Sequence, residues 1–255
     1  MWKITNYIFR DLVRSWVIIG YVLLLFTSSW GIFSLENEPD KAILNLLQII
    51  LLVLPLLTLV FTTIYYYNSL EFIILLLAQP IDRKTLFKGF AAGLMGSLAL
   101  CLIVGMGLPL VFHFPSLQSL MLLICGLMLT FTFVSMALFI STRISDKAKG
   151  MGTVLLLWAF FAFLFDGLLL FFMYQFGAYP IESIVLGLSF FNPIVVARTA
   201  VLMTTEGAAL LGLSGAVFKD FFGSPVGLAV SFLAFVSYIS IFFRLSWKTF
   251  EKKDM

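Results

Sequence analysis

Few side chains that could do chemistry lie inside the long apolar stretches of this 255-residue chain. The histidine is His113, the two cysteines are Cys101 and Cys125, and an acid stands at Asp166. Two thiols suit a soft metal, a histidine can act as a base or a ligand, and a carboxylate in an apolar stretch can carry protons. No HExxH, GxSxG or GxxxxGKS/T motif accompanies them. The sequence therefore predicts no catalytic residue, no metal site and no cofactor bound by this chain.

The composition places these residues in a membrane. Residues of the types AVILMFWYC make up 62% of the chain and charged residues 11%, against about 25% charged in soluble domains. A soluble fold of this length could not hide so much apolar surface, which excludes soluble enzymes and nucleic-acid-binding modules. The apolar runs are continuous rather than alternating, which favours spanning helices over barrel strands.

Six of these runs are long enough to cross a hydrocarbon layer about 30 Å thick, which takes about 20 residues. They cover approximately 16–34, 43–64, 87–112, 117–141, 151–175 and 226–245. Residues 1–15 carry basic and apolar side chains on different sides of a helical wheel, which predicts an interfacial amphipathic helix, with a plain basic tail as the alternative. We therefore expect one domain over 1–255, an all-α polytopic membrane protein with six transmembrane helices.

The positive charges orient the spans. Thirteen of the 16 lysines and arginines fall on the side that holds both termini, and the other side has only Lys41, Arg198 and Lys219. Cytoplasmic loops of membrane proteins carry an excess of lysine and arginine. This distribution predicts that both termini face the cytoplasm.

Asp166 lies in the outer half of the fifth run. An acid within a spanning segment is a functional candidate by default. The alternative is that its carboxylate reaches the outer interface, or bonds to a hydroxyl or to Arg198. A second open alternative concerns the spacing of Gly89, Gly93 and Ser97 in the third run, which suits either packing within the chain or contact between protomers.

The loop between the second and third runs contains an apolar stretch, Phe72 to Ala78, that is too short to cross a membrane. Polar side chains just before Glu71 could cap a helix there, and Pro80 would end it. An apolar helix exposed at the cytoplasmic side needs a partner, such as a groove on a second protein.

This loop resembles the cytoplasmic signature of type-two ABC transporter permeases, in which a glutamate, an apolar run, a proline, a basic residue and a glycine follow one another. The positions that match are Glu71, Leu75, Leu76, Leu77, Pro80, Ile81, Arg83, Leu86, Lys88 and Gly89. The sequence departs from the family at Phe72-Ile73-Ile74, where a Gly-Thr pair is frequent.

The resemblance implies a coupling loop over 65–86 that contacts a separate ATPase subunit. The contact residues that it implies are Glu71, Phe72, Leu75, Leu76, Pro80 and Arg83. It also implies a homodimer with two ATPase subunits, ATP and magnesium held by those subunits, and a place in a bacterial inner membrane.

The segment 176–225 is apolar but too broken to span, and we expect short re-entrant outer helices there. Asn192-Pro193 is a helix start, with a capping side chain followed by proline, and Gly207 is a stop. The stretch from Phe191 through Arg198, with 210–223, resembles the permease of the nitrous-oxide-reductase maturation transporter, which implies a periplasmic copper-handling partner. Export of a lipid-like substrate and a self-contained carrier or channel are the alternatives.

Overall fold

The computed structural model describes residues 2–36, 38–176, 182–202, 204 and 225–252, and the described residues form helices without a strand. The helices are α1 Trp2–Val13, α2 Trp16–Leu35, α3 Pro39–Asn68, α4 Leu70–Leu77, α5 Arg83–His113, α6 Leu117–Arg143, α7 Lys147–Gln175, α8 Glu182–Ser189, α9 Pro193–Leu202 and α10 Pro225–Lys252. In this described part, α2, α3, α5, α6, α7 and α10 are long and apolar enough to cross a membrane. The expected six-span, all-α architecture is confirmed.

Several helices extend beyond the apolar runs from which they were predicted. Helix α3 continues to Asn68 and α5 begins at Arg83, so the connection between them covers only 69–82 rather than 65–86. The apolar run marks only the part of a helix that matches the hydrocarbon. The helical backbone hydrogen bonds continue through Tyr65 and Tyr66, beyond the end of the apolar run. The rings of both tyrosines still pack against Phe90.

Helix α6 is the centre of the bundle, since it packs against α3, α5, α9 and α10. Its buried hydroxyl groups at Thr130, Thr132 and Ser135 donate to carbonyl oxygens one turn earlier in the same helix. A buried hydroxyl without a partner is unfavourable, and these bonds satisfy it within the helix. The central helix can therefore contain polar residues without needing partners on its neighbours.

Three spanning helices contain an interruption. Pro55 lies inside α3 and lacks the N–H that would continue the ladder, and the indole Nε1 of Trp158 donates to the nearby Leu52 carbonyl at 3.0 Å. Helix α5 contains a π turn at Ile103–Gly107, and α7 contains one at Phe160–Leu164. Such turns are rare and frequently lie at functional sites.

Helix α1 packs across the first half of α5 at a small-residue surface. A Cβ added at Gly93 would lie 2.8 Å from Cγ2 of Ile8 and 3.1 Å from the carbonyl oxygen of Thr5. The Ser97 hydroxyl, one turn further on, donates to the Gly93 carbonyl at 2.8 Å. The small residues Gly93 and Ser97 therefore serve packing within the chain.

Candidate functional site

Helix α4 is attached to α3 through one residue. Ser69 is the only residue between the two helices, and its N–H donates to the carbonyl oxygens of Tyr65 and Tyr66. The helix ends at Leu77, before Pro80, and the Ile81 N–H then donates to the Gln79 carbonyl across a γ-turn. The short helix expected from the sequence is present, and a single residue joins it to a spanning helix.

One face of α4 is exposed and mostly apolar. Glu71, Ile74, Leu75 and Ala78 are all exposed, and they recur at the spacing of a single helix face. The side chain of Leu75 is 69% exposed and that of Ile74 is 47% exposed. This face lies at the end of α3, where Lys147, the first residue of α7, donates to Asn68 at 2.9 Å. An apolar patch among polar groups is typical of a protein contact.

The other face of α4 holds the helix on the bundle. Ile73 is 1% exposed, and Leu76 packs against the same core. Phe72 stacks on Tyr7 of α1, with ring centroids 5.1 Å apart. The predicted contact residues therefore divide, because Phe72 and Leu76 lie on the inner face whereas Glu71 and Leu75 are exposed.

Arg83 joins the return of this loop to the last helix. Its Nη1 donates to the backbone carbonyl of Glu251 at 3.0 Å, close to the C-terminal end of α10. The ammonium groups of Lys84 and Lys88 lie 4.4 Å and 5.4 Å from the ring centroid of Trp247. Cations near the last carbonyls of a helix stabilise it. The side chains of Arg83, Lys84 and Lys88 thus hold α10 beside α5. Of the other predicted contact residues of this loop, Pro80 is exposed.

The α6–α7 connection is fixed to the same end of the bundle. The Tyr67 hydroxyl donates to the Ile144 carbonyl at 2.8 Å, and its ring occupies the space that a side chain at Gly150 would need. Asp146 caps α7 by accepting from the N–H of Lys149 at 2.9 Å. This backbone donor holds the pKa of the Asp146 carboxyl below its usual value. The α6–α7 connection is therefore held against the end of α3.

Asp166 is paired with Arg198. The Nη1 of Arg198 in α9 donates to Oδ2 of Asp166 in α7 at 2.7 Å, and the two side chains are 27% and 29% exposed. One of the alternatives left open by the sequence is therefore the observed one. The pair therefore joins α7 to α9.

Asn192 makes contacts at both ends of its amide. Its Oδ1 accepts from the Ile194 N–H at 2.8 Å and caps α9, which begins at Pro193 as the sequence predicted. Its Nδ2 donates to the Phe161 carbonyl at 2.7 Å, inside the π turn of α7. The π turn disturbs the regular pairing of carbonyls, and Asn192 satisfies one of them. The expected stop at Gly207 and the stretch 210–223 lie outside the described residues.

The other chemistry-bearing side chains are packed into the bundle. Cys101 and Cys125 are buried free thiols, and the His113 ring lies against Trp30 and Phe33 with centroid distances of 4.5 and 5.6 Å. Among the described residues, no three histidine, cysteine or acidic side chains gather where they could hold a metal ion.

Sequence reasoning missed Tyr7 and Tyr67, whose rings connect α4 and the α6–α7 connection to their neighbours. The run Tyr65-Tyr66-Tyr67 at the end of a span is the signal that could have drawn attention to this region, because interfacial tyrosines usually find a polar partner.

Comparison with known proteins agrees with this architecture. No curated protein matches the sequence. A family model described as ABC-2 family transporter protein matches residues 69–255, a range that begins at the residue joining α3 to α4 and contains α4 and the six described helices that follow it. Since this match covers most of the chain, the chain belongs to the ABC-2 family of transporter proteins and is a membrane subunit that works with an ATPase subunit.

Proposed function

We propose that the exposed face of α4 is the surface on which the ATPase subunit docks, and that the chain converts ATP hydrolysis there into movement of its spanning helices. The observation that carries the proposal is the division of α4 into an exposed face with Glu71, Ile74 and Leu75 and an inner face fixed by Ile73. A helix anchored on one side and apolar on the other suits insertion into a groove.

The contacts behind α4 support transmission of a push. Ser69 joins it directly to α3, and Phe72 contacts α1, which itself packs on α5. A bistable packed element needs no catalytic residue, only a bias applied at one end. ATP and magnesium belong to the ATPase subunits in this scheme, and this chain binds neither.

The proposed assembly is a homodimer with two ATPase subunits in a bacterial inner membrane, with both termini in the cytoplasm. The charge distribution supports the orientation, because 13 of the 16 basic residues lie on the side of the termini. We place the contact between protomers on the apolar surface of α7, where Leu156, Phe171 and Tyr174 are more than half exposed.

For the output we propose work on a periplasmic partner in maturation of the copper enzyme nitrous oxide reductase. The support is the resemblance of the stretch from Phe191 to Arg198, in which Asn192 and Arg198 join α9 to α7. Copper handling is assigned to the partner, so tight stoichiometric copper binding by the purified chain would contradict this output. The alternative output is export of a lipid-like substrate, for which an ATPase would co-purify without a copper protein.

The docking surface is tested by co-purification of the ATPase subunit with Leu75→Asp, which puts a charge into the exposed apolar face. The matched control is Leu35→Asp, since Leu35 is 85% exposed at the other end of the bundle. We expect Leu75→Asp to reduce ATPase binding at least tenfold, and Leu35→Asp to leave it unchanged.

Glu71→Lys tests the coupling step, with ATP hydrolysis and transporter output measured in the same vesicles. We expect hydrolysis to continue while output falls. Wild-type ATPase binding by Leu75→Asp, together with normal coupling by Glu71→Lys, would show that α4 is not the docking surface.

A further inference from the structure

A cleft of about 520 Å³ lies between the ends of α6 and α10. Both helices end at its mouth, α6 at Arg143 and α10 at Lys252. The two helices are joined beside it, because the Thr142 and Ser246 hydroxyl oxygens lie 3.4 Å apart. The cleft is an open groove at the end of the bundle that carries α4.

The walls of the cleft change from apolar to polar along the helix axes. Phe139 and Leu245 line it, and each lies about one turn before the hydroxyl-bearing residues Thr142 and Thr249. The hydroxyls lie level with the last turns of their helices. A molecule in this cleft would contact apolar carbon on the side towards the middle of the bundle and hydroxyl groups nearer the helix ends. An amphiphile aligned with the spanning helices would require this order.

The mouth of the cleft is strongly basic. Arg143, Lys248 and Lys252 line it, and none of the described lining residues is acidic. None of the three has an ion-pair partner within the described part of the chain. Three cations close together repel one another, so an anion between them would be favourable.

We infer that this cleft binds the phosphate headgroup of an anionic phospholipid from the leaflet at the end of the bundle that carries the termini. The three cations would surround the phosphate, Thr142 and Thr249 would face the glycerol region, and the first carbons of an acyl chain would lie on Phe139 and Leu245. Basic recesses between spanning helices are suited to such headgroups. An acidic surface of a protein partner would use the cations but would leave the apolar wall without a contact.

The test is titration of the purified full-length chain in detergent with palmitoyl-oleoyl phosphatidylglycerol, with bound lipid counted by native mass spectrometry. We expect the affinity to fall about fivefold for each cation removed in Arg143→Gln, Lys248→Gln and Lys252→Gln. The matched control removes Lys3, Arg10 and Arg14 of α1 in the same way, and we expect a change of less than twofold. Leu245→Asp, which leaves all three cations in place, should also weaken binding.

Several outcomes would overturn the inference. An equal loss of lipid affinity in the α1 control would show that the lipid is attracted by surface charge in general. An unchanged lipid affinity in the variant that combines Arg143→Gln, Lys248→Gln and Lys252→Gln would show that these cations only stabilise the helix ends. Displacement of the bound lipid by inorganic phosphate at the same concentration would assign the cleft to a free anion. If the cleft variants lose ATPase binding but keep their lipid affinity, the cleft belongs to the protein partner. None of these measurements of lipid needs an ATPase, so the inference stands or fails independently of the docking role of α4.

Discussion

The ring of Phe72 on the inner face of α4 stacks on the ring of Tyr7 in α1, with the two planes 23° apart. Tyr65 strengthens the same junction, because its hydroxyl donates to Oδ2 of Asp11 in α1 at 2.9 Å. Helix α1 therefore holds both the end of α3 and the helix that follows it. A force on α4 reaches α1 through a ring contact as well as through the chain.

The stack between Phe72 and Tyr7 should contribute a measurable coupling energy. A double-mutant cycle with Phe72→Ala and Tyr7→Ala should give about 1 kcal/mol from thermal unfolding in detergent. Tyr7→Phe keeps the ring and should retain that energy. Additive effects of the two alanine substitutions would show that the rings do not stabilise each other.

Gly93 should tolerate no side chain, because α1 crosses α5 at that point. Gly93→Ala would bring Cβ against Ile8 and is expected to destabilise the protein by about 1–3 kcal/mol. Gly152→Ala is the control, since nothing lies within 4 Å of its added Cβ. It should be neutral or slightly stabilising in the same unfolding assay. Equal effects of both substitutions would contradict the close packing of α1.

Asn192 should not be replaceable by aspartate, although aspartate is an equally good helix cap. Asn192→Asp keeps an acceptor for the Ile194 N–H but places an oxygen against the Phe161 carbonyl, and it should destabilise the protein by about 2 kcal/mol. The reverse exchange, Asp146→Asn, is the control, because Asp146 caps α7 through Lys149 at the exposed end of the bundle. A loss of no more than about 0.5 kcal/mol is expected there. If the two exchanges prove equal, the contact with the π turn contributes nothing.

The pair of Asp166 and Arg198 should act as a unit. Asp166→Asn leaves the Arg198 guanidinium of α9 without its counter-charge beside a spanning helix, and the midpoint of thermal unfolding should fall by several degrees. Exchange of the two residues, Asp166→Arg with Arg198→Asp, should recover part of the loss if the pair is structural. An exchanged pair that restores stability but not transporter output would instead give Asp166 a role beyond α7–α9 packing.

The six spans could be predicted because each is a single uninterrupted run whose length matches the hydrocarbon layer. Helix α4 could be predicted for the opposite reason, since its run is too short to span and stops before Pro80. Asn192 and Pro193 carried a local signal for a helix start, and local signals survive into the structure.

Other features depend on partners that are distant in sequence. Arg83 donates to the carbonyl of Glu251, 168 positions away, and a backbone carbonyl has no residue type that could announce it. The π turns at Ile103–Gly107 and Phe160–Leu164 lie in apolar runs that look continuous, because one extra residue in a turn does not alter hydropathy. The division of α4 into Phe72 inside and Leu75 outside was hidden because both sides of this helix are apolar.

The junction at Ser69 has a mechanical consequence for α3. With only this residue between the helices, a movement of α4 would be passed directly to α3, which has 30 residues and is about 45 Å long at 1.5 Å per residue. If α4 tilted a straight helix of that length by about 5°, the far end of α3 would move by about 4 Å. Pro55 lies near the middle of α3, and the backbone hydrogen bond that its missing N–H would have made is absent there, so the helix bends more easily at this point. In the proposed coupling scheme, the displacement at the far end of α3 would therefore depend on how stiff the helix is at Pro55.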